Sequence, residues 1–314
     1  MAVTVVGSVA FDALETPYGR RHRILGGAAT HFSLAASFFT DVRVVGVVGD
    51  DFGPEQLAVF DRHGVDTSDL ARVDGERSFF WSGRYDAEMQ NAETIDTQLN
   101  VLATFDPQLS PAARDCSVLF LANMQPDVQR RVREQCPRAF AVGLDSMNYW
   151  ISSARDSLVE AIRLADVVVL NDAEVRMFTD EPNPAVAVRR IRELGPRVVA
   201  VKQGRYGAAL FTDDGFFAVP GYPLELVVDP TGAGDAFAGG FFGYLDRHAG
   251  AELSDNTLRC AAVYGSVMAS FTIESFGSER LAGLTLAEIE ARFEDFGRMT
   301  RFDGQPAALR SAGG

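Results

Sequence analysis

The chain has 314 residues, 47% of them hydrophobic, and a formal net charge of −14 at pH 7. This length and apolar content predict one large domain, or a domain with an inserted subdomain. The negative charge argues against nonspecific binding to nucleic acid or to anionic membrane surfaces, and no apolar run approaches the length of a membrane span.

The cysteines and the N-terminal residues indicate the cellular compartment. Cys116, Cys136 and Cys260 are odd in number, widely spaced and without a C-x-x-C pair, so neither a disulfide framework nor a zinc site is expected. The N-terminus enters an apolar segment at once, without the charged region and apolar core of a signal peptide. We therefore expect a cytoplasmic protein.

Along the chain, short apolar runs alternate with segments of helical period. Most runs are rich in β-branched residues, as in strands that are buried on both faces. The alternation predicts an α/β fold with a doubly wound, mostly parallel sheet flanked by helices. The runs are 3–9, 42–48, 118–121, 140–144, 167–170 and 198–201, and the helical segments are 28–39, 54–63, 153–164, 184–194, 233–247, 254–271 and 286–302. We expect residues 1–304 to form the domain and 305–314 a flexible tail.

Two segments break this alternation. Residues 13–24 are polar around a turn signal at Pro17-Tyr18-Gly19, which predicts a hairpin. Residues 77–101 carry Phe79, Phe80, Trp81 and Tyr85 with alternation and no helical period. A β excursion of this length inside an α/β domain is often a functional lid, although an ordinary surface sheet has the same pattern.

The run Asp229-Pro-Thr-Gly-Ala-Gly-Asp235 carries the strongest chemical signal. It follows an apolar segment and leads directly into an apolar helix. Glycines at 232 and 234 permit a sharp turn, and the amides and dipole at the helix start favour a polyvalent anion. A carboxylate beside such a phosphate site, Asp235, can accept the proton of an attacking hydroxyl. A dinucleotide-binding turn fits less well, because the motif lies late in the chain and its Asp is inside the turn.

Five motifs in this order resemble the ribokinase (PfkB) family of carbohydrate and nucleoside kinases, and together they cover nearly the whole chain. The family's D-T-x-G-A-G-D signature is matched from Asp229, with Pro230 where the family usually has Thr. The other matches are Gly26-Gly27-Ala28-Ala29-Thr30-His31, Val48-Gly-Asp-Asp-Phe-Gly53, Asn171-Asp-Ala-Glu174 and Val201-Lys-Gln-Gly204-Arg-Tyr-Gly207.

The resemblance implies a ribokinase-like fold with a small β-sheet lid formed by 13–24 and 77–101, and it implies ATP and Mg²⁺. Asp235 would be the general base, and the amides of Gly232, Ala233 and Gly234 would face the transferred phosphate. Glu174 would hold Mg²⁺, through water, because this ion prefers hard oxygen ligands and retains several waters. Asn171, Lys202, Gly204, Gly207 and Thr231 would bind the nucleotide. Some family members also bind a monovalent cation near Asp229, Thr231 and residues 276–277.

For the acceptor, Asp12 matches the family's acidic residue that holds substrate hydroxyls, and Gly26 and Gly27 would let the backbone approach the same molecule. Further candidates are His31, Asn123 and Asp145. Helix capping is the alternative for the polar residues at strand ends, including Asn171 and Glu174. A packed histidine is the alternative for His31.

Three departures from ribokinase affect the substrate. Ala10, Ala28 and His31 replace polar residues that ribokinase uses, which disfavours ribose itself. The predicted function is an ATP-dependent kinase acting on a hydroxyl of a sugar or sugar-like molecule. A nucleoside (adenosine-like) kinase, a non-catalytic sugar or nucleotide sensor and a nicotinamide-dependent oxidoreductase are the alternatives. An exposed β lid also offers an edge for homodimer formation.

Overall fold

A computed structural model describes residues 1–90, 92–250, 253–301 and 304, so the tail predicted at 305–314 lies outside the described residues. The strands, in chain order, are β1 Val3–Val6, β2 Ala10–Thr16, β3 Gly19–Gly26, β4 Val42–Gly49, β5 Asp66–Val73, β6 Phe79–Tyr85, β7 Ala92–Gln98, β8 Val118–Leu121, β9 Ala141–Asp145, β10 Val167–Asn171, β11 Val198–Lys202, β12 Ala208–Thr212 and β13 Gly215–Val219. The helices are α1 Ala28–Ala36, α2 Pro54–Arg62, α3 Pro111–Arg114, α4 Pro126–Gln135, α5 Asn148–Ser153, α6 Arg155–Ile162, α7 Asp172–Thr179, α8 Pro184–Arg192, α9 Ala233–Asp246, α10 Asp255–Thr272, α11 Glu279–Ala282 and α12 Leu286–Thr300.

Within the described residues, nine strands form the main sheet in the order β13-β12-β11-β10-β9-β8-β1-β4-β5. Strands β11 through β5 in this order pair in parallel, whereas β12 and β13 add an antiparallel edge. The predicted mostly parallel α/β sheet is therefore confirmed. The antiparallel edge was not predicted. Its strands β12 and β13 are only five residues long, and β13 is largely exposed rather than buried on both faces.

Both faces of the main sheet are covered by helices. Along β10, Val167 and Val169 pack into one hydrophobic cluster, and Val168 and Leu170 pack into a second cluster on the opposite face. Helices α1, α9 and α10 supply the first cluster, and α4, α6, α7 and α8 supply the second. This double burial explains why the central strands have near-continuous apolar sequences.

A second sheet of four strands, in the order β3-β2-β6-β7, stands apart from the main one. Strand β2 begins at Ala10, only a few residues after β1 ends at Val6, so the predicted strand at 3–9 is shorter than expected. Asp12 and Trp81 are aligned partners in the parallel pair β2–β6. We call this second sheet the lid sheet.

The helix predicted at 153–164 begins at Arg155 in the structure, as α6. Ala154 has φ −142° and ψ 37°, outside the helical region, and it separates α5 from α6. No helix in the described part of the chain is long and apolar enough to cross a membrane.

Candidate active site

The carboxyl ends of the parallel strands bring polar residues together at one edge of the main sheet. Asp145, Asn171 and Lys202 are the last residues of β9, β10 and β11, and Asn171 and Lys202 are aligned partners. Open α/β sheets bind ligands in the crevice outside this edge. The structure therefore places these three predicted site residues in one cleft.

The loop from Asp229 to Asp235 lies at the same edge and ends in helix α9. Gly232 is the N-cap of α9 with φ +77°, a left-handed conformation that favours glycine. A Cβ atom at this position would lie 2.5 Å from Nδ1 of His31, so only glycine permits this approach. The amide of Ala233 donates to the carbonyl of Pro230 at 3.3 Å, which partly satisfies one of the three amides predicted to face a phosphate.

Asp235 lies in the first turn of α9 and is partly buried. Burial is the main cause that raises its pKa to about 7, and the neighbouring Asp145 carboxylate adds to this, while Lys202 opposes it. A carboxylate with a pKa near neutrality suits general-base catalysis, because it is both deprotonated in part and basic enough to accept a proton.

Asp12 faces the same cleft from the lid sheet and is only 4% exposed. Burial raises its pKa to about 8, with further contributions from Asp229 and Asp235, whereas a hydrogen bond from the Gly27 amide opposes the shift. A side chain at Gly26 would overlap the Asp12 carboxylate, and one at Gly27 would lie 2.5 Å from the Ser8 carbonyl. Both glycines thus allow the backbone to close around Asp12.

Two polar side chains in this region have buried atoms without a hydrogen-bond partner among the described residues. Both ring nitrogens of His31 lack a hydrogen-bond partner among the described residues, and burial lowers its pKa to about 4. The imidazole is therefore neutral at physiological pH, able to donate one hydrogen bond and accept one. Asn123 donates to the sulfur of Met147 at 3.1 Å, while its Oδ1 has no partner among the described residues.

Asp145 and Lys202 form a buried ion pair, with Lys202 Nζ 2.8 Å from Asp145 Oδ2. Their side chains are 4% and 18% exposed, respectively. A Cβ atom on Gly234 would lie 2.9 Å from Lys202 Nζ, so the lysine reaches the loop from Asp229 to Asp235. Although Asp145 was predicted to bind substrate and Lys202 nucleotide, the structure pairs them with each other.

Asn171 and Glu174 form a capping box at the start of α7. Asn171 Oδ1 accepts from the Glu174 amide at 2.8 Å, and Glu174 Oε2 accepts from the Asn171 amide at 2.7 Å. The capping alternative considered from the sequence is thus present. Burial raises the pKa of Glu174 to about 7, and its Oε1 makes no hydrogen bond within the described part of the chain.

The predicted nucleotide-side turn follows β11. Gly204 and Gly207 have φ +55° and +96° around a short 3₁₀ turn, Gly204–Tyr206. A side chain at Gly207 would overlap the Val219 carbonyl, so tight packing explains this glycine, whereas the space at Gly204 is open.

The model of the pfkB carbohydrate kinase family matches residues 2–282, almost the whole span of this cleft and its sheets. The chain belongs to the PfkB family. It is accordingly a phosphotransferase with an alcohol group as acceptor.

Comparison with individual proteins places this PfkB family kinase among several relatives. It is 28% identical over 255 residues to a cytidine kinase of Thermococcus kodakarensis, covering 78% of this chain and 88% of that protein. It is 27% identical over 307 residues to a nucleoside kinase of Methanothermobacter thermautotrophicus, covering 87% and 90%. Its fold matches that of a Burkholderia thailandensis nucleoside kinase in complex with inosine, with a TM-score of 0.76, 22% identity and coverage of 93% and 97%.

Sequence reasoning missed two groups that join the lid sheet to the rest of this PfkB family kinase. Asp51, in the 48–53 motif, accepts hydrogen bonds from the Ser78 amide and hydroxyl and from Arg23. The hydroxyl of Tyr85 lies 3.0 Å from Thr231 Oγ1, across 146 positions of sequence. The motif at 48–53 could have pointed to the contacts of Asp51. No local pattern points to the contact between Tyr85 and Thr231, because these residues are distant in sequence.

Replacing Lys202 by methionine should destabilise this kinase, because Asp145 would remain as a buried carboxylate without its cation. Breaking a buried pair by removing one partner costs about 3–5 kcal/mol. Urea unfolding of Lys202→Met should show this loss, and Asp145→Asn combined with Lys202→Met should recover much of it. Equal stability of the single and double variants would show that an unpaired Asp145 carboxylate is not the cause of the loss.

Proposed function

We propose that this kinase transfers the γ-phosphate of ATP to a hydroxyl of a sugar unit, with Asp235 as the general base. One observation carries the proposal: Asp12 and Asp235, two carboxyl groups of strongly raised pKa, face one cleft at the phosphate-binding loop. Burial is the main cause that raises the pKa of each group, and the Asp235 carboxylate adds to the shift of Asp12.

The two carboxylates would have different tasks. Asp12 would hold the acceptor hydroxyls from the lid side, and Asp235 would take the proton of the attacking hydroxyl. The attacking oxygen would then bond to the γ-phosphorus as the bond to the β-phosphate oxygen breaks and ADP leaves. Amides of Gly232 and Gly234, at the positive end of α9, would stabilise the charge on the transferred group.

The residues present fit a magnesium ion that is held largely through water and ATP. In the described part of the chain, no group of three or more His, Cys, Asp or Glu side chains is arranged to hold a metal by itself. Mg²⁺ usually keeps several waters and binds through one or two carboxylates plus substrate phosphates. Glu174 would supply a carboxylate through Oε1 and Asn171 would lie beside the phosphates. When bound, Mg²⁺ neutralises charge on the phosphate oxygens.

The acceptor that the cleft favours is a nucleoside, the alternative that the sequence left open. Trp81 is aligned with Asp12 across β2 and β6, so both side chains lie on the cleft face of the lid sheet. A side chain at Gly83 would overlap the Trp81 ring, so the indole covers this glycine, while its Nε1 donates to Thr94 Oγ1 at 3.3 Å. A flat, partly exposed indole beside a hydroxyl-binding carboxylate suits a base attached to a ribose, since stacking on an aromatic ring is worth about 1–3 kcal/mol per base. The cytidine and nucleoside kinases among the relatives support this acceptor class.

The test is acceptor-dependent ADP release with a panel of nucleosides, free sugars and sugar phosphates, using Trp81→Leu and, as a matched control, Trp150→Leu on α5. We expect turnover with nucleosides, and a KM for the nucleoside that is about 10-fold higher in Trp81→Leu through lost stacking. The KM for ATP should not change. Equal KM values for the nucleoside in the two variants would show that Trp81 does not stack on the base. Turnover with free sugars alone would show that the protein is a sugar kinase.

Three further assignments stay predictions. The protein would act in the cytoplasm, which its three free cysteines suit. A homodimer would form through an edge of the lid sheet. A monovalent cation would bind near Asp229, although its two carboxylate oxygens already accept from the amides of Thr231 and Gly277 at 3.0 and 2.8 Å.

A further inference from the structure

The lid sheet is hydrogen-bonded to the loop that carries the phosphate-binding amides. Tyr85, the last residue of β6, places its hydroxyl 3.0 Å from Thr231 Oγ1. The Thr231 amide donates to Asp229 Oδ1 at 3.0 Å, and Asp229 Oδ2 accepts from the Gly277 amide at 2.8 Å. One hydrogen-bonded chain therefore runs from the lid strand through the phosphate-binding loop.

A second contact joins the lid sheet to the nucleotide-side turn. Arg205, in the turn Gly204–Tyr206, donates to the carbonyl of Glu88, in the segment after β6. In the amide orientation that satisfies both groups, Gln90 accepts from Nη2 and Nε of the same guanidinium at 2.8 and 2.9 Å. The lid sheet thus contacts two separate segments that the sequence assigns to nucleotide binding.

The lid sheet also carries the groups that face the acceptor. Asp12 lies on β2, which pairs with β6 over six aligned residue pairs, from Ala10–Phe79 to Glu15–Arg84. Because β2 and β6 share this ladder, a displacement of β6 away from Thr231 would also displace Asp12 and Trp81. Contacts to the nucleotide side and contacts to the acceptor would then be lost together.

Tyr85 is suited to this role by its surroundings. Burial raises the pKa of its hydroxyl, and the nearby Asp229 and Asp12 add to the shift. The group stays protonated across the working pH range, so it can donate to Thr231 or to a group that replaces it. Its ring is partly buried on the cleft face, and Tyr85→Phe would remove one oxygen while retaining the ring.

We propose that Tyr85 and Arg205 form a latch that couples nucleotide binding to closure of the lid sheet over the acceptor. The inference rests on the proposed function, because it requires ATP to occupy the segment around Thr231 and Arg205. Both are positioning residues, since neither contacts the reacting atoms. A ligand that favours the latched state shifts the lid toward closure, and by reciprocity a closed lid strengthens binding of that ligand. Closure also excludes water, which competes with the acceptor hydroxyl for the phosphoryl group.

The test is amide hydrogen exchange of strands β6 and β7 with and without AMP-PNP and Mg²⁺, on the full chain. The variants are Tyr85→Phe, Arg205→Ala and a matched control, Tyr18→Phe, at the exposed turn of the same sheet, where the side chain is 53% exposed. We expect AMP-PNP to slow lid exchange about 5-fold or more in the wild type and in Tyr18→Phe, within the range of typical coupling between sites. Tyr85→Phe and Arg205→Ala should lose most of this protection.

A second readout separates the latch from a merely structural role. In Tyr85→Phe, ADP release without acceptor should rise relative to release with cytidine, because water reaches the phosphoryl group more often. Protection of the lid in Tyr85→Phe equal to that in Tyr18→Phe would overturn the latch while leaving the proposed function intact. Binding of AMP-PNP without lid protection in the wild type would do the same. No binding of AMP-PNP to the wild type would overturn both.

Discussion

The Asp235→Asn variant should lose about 10²- to 10⁴-fold in kcat, the range typical of a general base. The asparagine keeps the size and the position of the side chain at the start of α9, but it cannot take a proton from the acceptor hydroxyl. Because burial and Asp145 raise the pKa of Asp235 to about 7 in the free protein, kcat/KM of the wild type should fall as the pH drops below 7. The part of the acid limb that Asp235 causes should be absent from the residual activity of the variant, whereas the titration of Asp12 and Glu174 remains.

The control for this result is Asp74→Asn, which removes a carboxylate from an exposed turn after β5. It should retain wild-type turnover and the same acid limb. Affinity for AMP-PNP and the urea midpoint should be close to wild type in both variants, which shows that the fold and the nucleotide site are intact. Near-normal turnover of a folded Asp235→Asn protein would show that Asp235 is not the general base.

The Asp12→Asn variant should lose acceptor binding and gain stability at the same time. A hydrogen bond to a charged group contributes about 1.5–3 kcal/mol, so kcat/KM for the acceptor should fall about 10- to 100-fold, with the KM for ATP unchanged. Steady-state kinetics with varied acceptor and saturating ATP measure this loss. An equal fall in apparent ATP affinity would indicate general damage to the cleft instead.

The stability gain follows from the raised pKa of Asp12, about 8 in the folded protein. The folded protein favours the protonated form of Asp12, whereas the unfolded chain loses this proton near pH 4. As the pH rises from about 4 to about 8, Asp12 therefore lowers the free energy of unfolding of the wild type more and more. Asparagine has no charge to bury, and the ligand-free variant should therefore be more stable than the wild type at pH 8 by about 1–3 kcal/mol. The difference should shrink as the pH falls and be almost absent below about pH 4, where Asp12 is protonated in both the folded and the unfolded protein. A difference independent of pH would show that Asp12 does not titrate in this range.

Local patterns were enough to predict the parts of the fold that bury apolar residues on both faces. The central strands and helices such as α2 and α8 begin where the periodicity places them, because each has a continuous apolar run or a clear helical period. Strands β5, β12 and β13 were not predicted. The sequence of β5 is largely polar and exposed, and β12 and β13 are five-residue strands that pair antiparallel at the opposite edge of the sheet.

In the candidate site too, local motifs could be predicted from the sequence, whereas contacts between distant residues could not. Gly26, Gly27 and Gly232 were identified from motifs, and the structure gives a steric reason for each, since any side chain would overlap Asp12, Ser8 or His31. The pairing of Asp145 with Lys202 and of Tyr85 with Thr231 could not be read from the sequence. Such contacts join residues 57 and 146 positions apart, and only the packing of the two sheets brings them within hydrogen-bonding distance.

The proposed reaction is tested most directly by identifying the product with ³¹P NMR after incubation of the protein with ATP, Mg²⁺ and either cytidine, inosine, ribose or fructose. Because the protein is strongly acidic, the incubations are run at both low and high salt. We expect ADP together with a phosphate monoester on the ribose unit of a nucleoside, and formation of both products that is about 10²- to 10⁴-fold slower with Asp235→Asn. A folded protein that binds AMP-PNP but forms no phosphate ester from any of these acceptors would contradict the proposed kinase activity.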